Sequence, residues 1–277
     1  MQFPINLPAF QNVVFGQKAT LAVPRYALSL NRIQLQLGGT LTIANITEIS
    51  IKLGAREVTK LTGPRLLAIN KYKGIYDAAG FLTIDFTERD ADNVLEREIG
   101  GYDFTVIQDQ MFIEVTNNMG AGSPTLVAKG LFGAPQGQAG VLVKKYLTLA
   151  SPSLPATSGQ PYNFGMDFKG ARVQRIHLSY TGTDWSGVAD GNLNRVELKA
   201  DGTPKWDLTS LQANYLELEY RKVPQSKFYH LDFIHDNDVV NGALATAGIK
   251  SMELNCSLTA ADSLTAIVEV LDLPGNL

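Results

Sequence analysis

The chain states one pattern twice. Arg32-Ile33-Gln34-Leu35-Gln36-Leu37-Gly38-Gly39-Thr40 returns as Arg175-Ile176-His177-Leu178-Ser179-Tyr180-Thr181-Gly182-Thr183. Ile49-Ser50-Ile51-Lys52-Leu53 returns as Val196-Glu197-Leu198-Lys199-Ala200, and Phe81-Leu82-Thr83-Ile84-Asp85-Phe86 as Phe228-Tyr229-His230-Leu231-Asp232-Phe233. The order is kept and the offsets differ only by small insertions, as in two homologous domains with variable loops. A length of 277 residues lies near the size at which one core gives way to two. Two domains are therefore expected, 1–135 and 136–277. The connection is placed at about 133–140, where Gly133-Ala134-Pro135-Gln136-Gly137-Gln138-Ala139-Gly140 has no apolar periodicity.

The repeated unit is built of strands. Ile33, Leu35 and Leu37 alternate with Arg32, Gln34 and Gln36; Val196 and Leu198 with Glu197 and Lys199; Leu216 and Leu218 with Glu217 and Glu219; Met252, Leu254, Cys256 and Leu258 with Glu253, Asn255 and Ser257. A period of two is that of strands with one buried face. Turn signals at Gly38-Gly39, Thr62-Gly63-Pro64, Gly80, Gly120-Ala121-Gly122-Ser123-Pro124 and Asp201-Gly202-Thr203-Pro204 cut these runs to sandwich or barrel length. Two segments at matching places, 90–100 and 236–248, carry capping residues, apolar positions at helical spacing and a closing glycine, which predicts one short helix per domain before its late strands. The Pro- and Ser-rich stretch 151–161 is expected to be a loop near the start of the second domain.

Composition excludes several functions. Charged residues make up 18% of the chain, against roughly 25% in a typical globular protein, while 45% are hydrophobic, so much of the surface is expected to be neutral or covered by neighbours. A net charge of −3 argues against a protein that grips phosphate backbones. One cysteine, Cys256, permits neither an internal disulfide nor a thiolate metal cluster. Residues 1–15 show no basic stretch followed by an apolar run, and no apolar stretch of about 18 residues occurs. The expectation is a soluble chain made in the cytoplasm, and the sequons at Asn45 and Asn255 are given no role.

No Gly-x-Gly-x-x-Gly, Walker-type, Gly-x-Ser-x-Gly or His-Glu-x-x-His signature is present. His177, His230 and His235 have no apparent partner nucleophile or carboxylate triad, and surface or interface roles are expected for them. Asp90 and Asp92, with Asp236 and Asp238, have the alternate carboxylates that calcium prefers, but each pair stands at an expected helix start, where Asp satisfies free N–H groups. Asp85 and Asp232 recur at matching positions, though on the outward phase of strands in separate domains, which does not suit a paired-carboxylate mechanism. Trp185 and Trp206 could line a sugar groove or anchor subunits. Lys144-Lys145-Tyr146 and Lys71-Tyr72-Lys73 read as solvated charges. No catalytic, cofactor or metal residue is assigned.

Leu7-Pro8-Ala9-Phe10-Gln11-Asn12-Val13 through Gly38-Gly39-Thr40 resembles the first jelly roll of the corticovirus-type coat protein. Gly170-Ala171-Arg172-Val173-Gln174-Arg175-Ile176-His177, Asp201-Gly202-Thr203-Pro204-Lys205-Trp206-Asp207-Leu208 and Tyr229-His230-Leu231-Asp232-Phe233 follow that family's order. The chain thus resembles the double jelly-roll major capsid proteins of tailless, membrane-containing icosahedral bacteriophages and related viruses. The resemblance implies an all-β fold of two tandem eight-stranded jelly rolls and a non-enzymatic role. It implies a homotrimer forming a pseudo-hexagonal tile over an internal lipid membrane, in a virion with minor capsid, vertex and membrane proteins as partners. Neither nucleic acid nor a small-molecule substrate is implied. No cofactor is required, although structural calcium would be compatible with divalent cations holding such shells together. Loops 183–194 and 55–74 are candidates for an outward tower or for contacts between trimers. A two-domain jelly-roll glycan-binding protein or glycan hydrolase, and a trimeric virion spike, are the alternatives.

Overall fold

The computed structural model describes residues 2–276 except 77, 94, 120–121, 138–141, 156–161, 166–167 and 169. It divides into two compact units, residues 1–147 with 271–275, and 148–270 with 276–277.

In chain order the first half carries β1 (Phe3–Asn6), β2 (Lys18–Ala22), β3 (Ser29–Gly39), β4 (Ile46–Leu53), β5 (Arg56–Leu61), α1 (Gly63–Tyr72), β6 (Phe81–Asp85), β7 (Tyr102–Asp103), β8 (Met111–Asn117) and β9 (Pro124–Gly133). The second half repeats it with β10 (Val143–Leu154), β11 (Tyr162–Gly165), β12 (Arg172–Ser179), β13 (Leu193–Ala200), β14 (Thr203–Thr209), α2 (Ser210–Glu219), β15 (Phe228–Asp232), β16 (Leu244–Ala245), β17 (Met252–Leu258) and β18 (Asp262–Asp272). The first unit sets the sheet β1-β9-β3-β6, with β7 beside β3, against the sheet β2-β8-β4-β5. The second sets β10-β18-β12-β15, with β16 beside β12, against β11-β17-β13-β14. Each is the four-plus-four layout of a jelly roll, and strand for strand the two orders are the same.

Alternation dictates the cores. Ile33, Leu35 and Leu37 of β3 and, beside them in the same sheet, Leu82 and Ile84 of β6 lie buried inside the first sandwich, as do Met111, Ile113 and Val115 of β8 in the opposite sheet. Val173, Ile176 and Leu178 of β12, with Val196, Leu198, Leu254 and Cys256, do the same in the second. Burial of these side chains at about 25 cal/mol per Å² drives each sandwich together.

The short helices are present, one per unit, but not where the spacing placed them. The described residues of 90–100, all but Val94, form turns and a single 3-10 turn, Glu96–Glu98; 236–248 form turns and β16. The helices follow β5 and β14 instead. Thr62 caps α1 by accepting a hydrogen bond from the Arg65 N–H, Gly63-Pro64 opens the helix, and a Cβ at Gly63 would overlap the Ile43 carbonyl oxygen. Thr62-Gly63-Pro64 is thus a helix start rather than a turn, and 55–74 is strand and helix rather than a loop. Thr209 caps α2 by a reciprocal exchange with Gln212. The Leu216/Leu218 alternation belongs to this helix, in which Glu217 is buried and Leu218 exposed. Residues 151–154 continue β10, while 156–161 of the expected loop, 138–140 of the expected connection and Gly120-Ala121 lie outside the described residues. No helix among the described residues is long and apolar enough to cross a membrane.

Candidate functional site

The residues that alternate away from the core make up the outer face of β3 and β6 in the first unit and of β12 and β15 in the second. Antiparallel register sets Arg32 opposite Asp85, Gln34 opposite Thr83 and Gln36 opposite Phe81. In the second unit it sets Arg175 opposite Asp232, His177 opposite His230 and Ser179 opposite Phe228. The duplication has kept an arginine–aspartate ion pair at one end, bidentate in the first unit, with Arg32 Nε and Nη2 at 2.8 and 3.0 Å from the Asp85 carboxylate. Arg175 Nε lies 2.9 Å from Asp232 Oδ2.

The two faces differ in burial. On the first, Arg32 and Gln34 are half-buried and Gln36 is exposed. On the second, Arg175, His177, His230 and Asp232 are all buried. These second-unit groups join one network with Glu269 of β18. Arg175 Nη1 is 3.3 Å from Glu269 Oε2, His177 Nε2 is 2.9 Å from Glu269 Oε1, and the His177 and His230 Nδ1 atoms are 2.7 Å apart. One Nδ1 must therefore donate and the other accept. Burial first, and then the His177 and Arg175 neighbours, hold the His230 imidazole well below the usual histidine range. Two imidazoles in line with a carboxylate could relay a proton, but both are at most 1% exposed, so no substrate reaches them. The expectation of surface or interface roles is corrected for His177 and His230. They are buried groups on the outer sheet face, held by a carboxylate that sequence reading passed over. The signal was available: Glu269 is the single charge in the run Leu264-Thr265-Ala266-Ile267-Val268-Glu269-Val270-Leu271. His235 is half-buried, with Nδ1 2.8 Å from the Asp232 carbonyl oxygen and its ring against Tyr220.

Asp85 and Asp232 keep the outward phase of their strands but are buried rather than solvated, each neutralised by the arginine across its own sheet. Lys144 and Lys145 are likewise buried rather than solvated. Lys144 Nζ pairs with Glu88 Oε1, and Lys145 Nζ reaches Asp272 Oδ2 at 3.0 Å and the Leu273 carbonyl oxygen at 2.8 Å. Tyr146 donates to the Asp85 carbonyl oxygen at 2.6 Å, and Lys73 lies 3.5 Å from both Glu88 and the Tyr146 hydroxyl. Each lysine thus exchanges solvent for a carboxylate, as burial of an ammonium demands.

The acidic clusters serve turns. Asp90 makes a bidentate pair with Arg89 at 2.9 and 3.0 Å, Asp236 Oδ1 accepts from the Asp238 N–H, and Asp238 Oδ1 accepts from the Asn241 N–H at 2.9 Å. Among the described residues no group of three or more His, Cys, Asp and Glu could hold a metal ion. Trp206 donates to the Tyr229 hydroxyl at 3.0 Å and Trp185 to the Gln225 carbonyl oxygen at 3.2 Å, so both indole N–H groups are used locally. What stays open is surface. The outer face of the first unit has a cavity of about 310 Å³ lined by Arg32, Gln34, Tyr76, Phe81, Thr83 and Arg89 among others.

Comparison with known proteins gives this surface its context. The fold matches the major capsid protein P2 of bacteriophage PM2 with a TM-score of 0.83 at 17% identity, covering 100% of both chains. It matches the major capsid protein of Sulfolobus turreted icosahedral virus with a TM-score of 0.72 at 15% identity, over 99% of this chain and 97% of that one. The capsid of the virus PBCV-1 matches with a TM-score of 0.65 at 10% identity, over 98% and 94% of the two chains. No curated protein matches the sequence significantly. The sequence matches the viral coat protein P2 N-terminal domain over residues 4–133 and the C-terminal domain over residues 143–274. With the family's two domains accounting for nearly its whole length, the chain belongs to the P2 viral coat proteins.

Proposed function

We propose that this coat protein assembles as a homotrimer whose six jelly rolls form a pseudo-hexagonal tile, and that such tiles cover an internal lipid membrane. As a viral coat protein it is a structural, non-enzymatic component of the virion capsid. The observation that carries the trimer is the duplication itself. One chain holds two sandwiches with the same strand order and a helix at the same place, so three chains supply six near-equivalent units and a single gene product fills a hexagonal lattice position. Contact between unlike surfaces closes into a ring when its rotation divides a full turn. Minor capsid, vertex and membrane proteins are the further partners in this reading. The boundary between the jelly rolls at about 133–140 belongs to it too, supported by family matches that stop at 133 and resume at 143.

Light scattering on the purified protein, followed by electron microscopy of the same sample, tests the proposal. A mass of three 30.1 kDa chains with hexagonal outlines is expected; a stable single-chain mass overturns the trimer. Flotation of trimers with vesicles of host-like lipid tests the membrane, and trimers that stay at the bottom of the gradient count against direct lipid contact.

A further inference from the structure

The duplication allows each surface of one jelly roll to be compared with its counterpart in the other, and two surfaces differ sharply. On the outer sheet face, Phe81 of β6 is 45% exposed while its counterpart Phe228 of β15 is 9% exposed. Gln36 is exposed and Gln34 half-buried where Ser179 is half-buried and His177 fully buried, and the first face carries an open cavity. On the helix the sense is reversed. In α1 and its C-cap, Tyr72 and Lys73 are buried and Ala68 and Lys71 half-buried. At the matching positions Glu219, Tyr220, Tyr215 and Leu218 are all exposed, Tyr215 at 66% and Leu218 at 60%. One chain therefore leaves a single copy of each surface free: the sheet face on the first jelly roll and the helix face on the second.

We propose that these two free surfaces dock on each other between neighbouring chains, the exposed side of α2 from one copy seating on the outer face of β3 and β6 of the next. The inference rests on the trimer reading and names its contact. The occupant is a second copy because, with only this chain's own atoms present, the counterpart of each free surface is already covered; the sequence carries both halves of the match. The chemistry also fits. The α2 side offers the aromatic and aliphatic groups Tyr215, Leu218 and Tyr220, and the receiving cavity offers Phe81 and Tyr76, while its arginines, Arg32 and Arg89, are already balanced by Asp85 and Asp90. Apolar anchors entering a pocket whose polar rim is already paired are what protein contacts of this kind require. The two patches are unlike, so the contact is heterologous and each chain uses both once.

Phe81→Glu and Leu218→Glu each break one patch and leave the other intact. Each variant is expected to lose the trimer in sedimentation while keeping the circular dichroism spectrum of the wild type. Mixed at equal concentration, the two should form a heterodimer through the one undamaged pair of patches. Wild-type trimers with both variants still trimeric overturn the assignment of these surfaces, as do monomeric variants that never pair on mixing. A monomeric wild type sinks the trimer reading instead. Should Phe81→Glu misfold, Phe81→Cys gives the same answer: Cys256 is buried, so maleimide reports position 81 alone. Slower labelling in the trimer than in the dissociated chain is expected, and equal rates overturn the proposal.

Discussion

Replacing Arg175 with methionine keeps a long side chain on the buried outer sheet face of the second jelly roll and removes its charge. Two buried carboxylates, Asp232 and Glu269, then lose the guanidinium that lies 2.9 and 3.3 Å from them. Removing one partner of a buried ion pair costs about 3–5 kcal/mol, because the charge left behind is neither hydrated nor paired. His177 remains 2.9 Å from Glu269, which places the expected loss near the lower end, about 3 kcal/mol. With a urea m-value of about 1–3 kcal/mol/M, that lowers the unfolding midpoint by roughly 1–3 M. The assay is built into the chain. Its tryptophans, Trp185 and Trp206, both belong to the second unit, so tryptophan fluorescence follows this jelly roll and not the first. A second variant separates unbalanced charge from lost packing: adding Asp232→Asn and Glu269→Gln removes the two carboxylate charges that Arg175 balanced and should recover part of the midpoint. A loss below about 1 kcal/mol for Arg175→Met would refute the reasoning, since it would mean that the cluster behaves as a solvated surface pair.

Acid should weaken the same jelly roll. His230 is held neutral in the folded protein with its pKa well below the histidine value of 6.5, and His177, Arg175 and Glu269 face it. The unfolded chain takes up a proton near that value, so its stability contribution is present above pH 6.5 and lost as the pH falls, at up to about 1.4 kcal/mol per pH unit. The urea midpoint followed by tryptophan fluorescence should drop between about pH 6.5 and 5, and His230→Gln should flatten that drop; an unchanged profile refutes the assignment. Glu217 works in the opposite sense. Burial first, and then nearby Asp232, raise its carboxyl well above 4.5. The unfolded chain alone releases this proton above that value, so stability is lost as the pH rises. Neither carboxyl oxygen has a hydrogen-bond partner. Glu217→Met should therefore raise the unfolding free energy by about 1–3 kcal/mol at pH 8, read from the urea midpoint, with the gain shrinking toward pH 4.5, whereas a destabilised variant contradicts this. Burial likewise pushes the Cys256 thiol far up, so a thiol reagent should titrate no cysteine in the native protein and one per chain in denaturant.

The helices show where local reading stops. The 62–72 segment opens with Thr, Gly and Pro, residues that serve a turn or a helix N-terminus equally well. The choice fell to the position of the chain leaving β5, where α1 closes over Leu66, Ile69 and Tyr72. In 210–219 the alternation of Leu and Glu suggested a strand, but tertiary packing turned Glu217 inward and Leu218 outward. Segments 90–100 and 236–248 had caps and spacing yet formed no α-helix: helices this short are marginal on propensity alone, and the second segment gives Leu244–Ala245 to a strand pair with β12.

The sequence by itself determined the duplication, the alternating strands, the two sandwiches and the lack of any catalytic signature, since each is a matter of residue order and period. Only the tertiary structure decided which copy of a repeated surface is covered. Arg32 and Arg175 stand at the same register position with an aspartate partner, and Phe81 and Phe228 at the same register position opposite a polar residue; these pairings do not say which copy is covered. Burial depends on what lies across the face from a strand, and the strand's own sequence does not encode that.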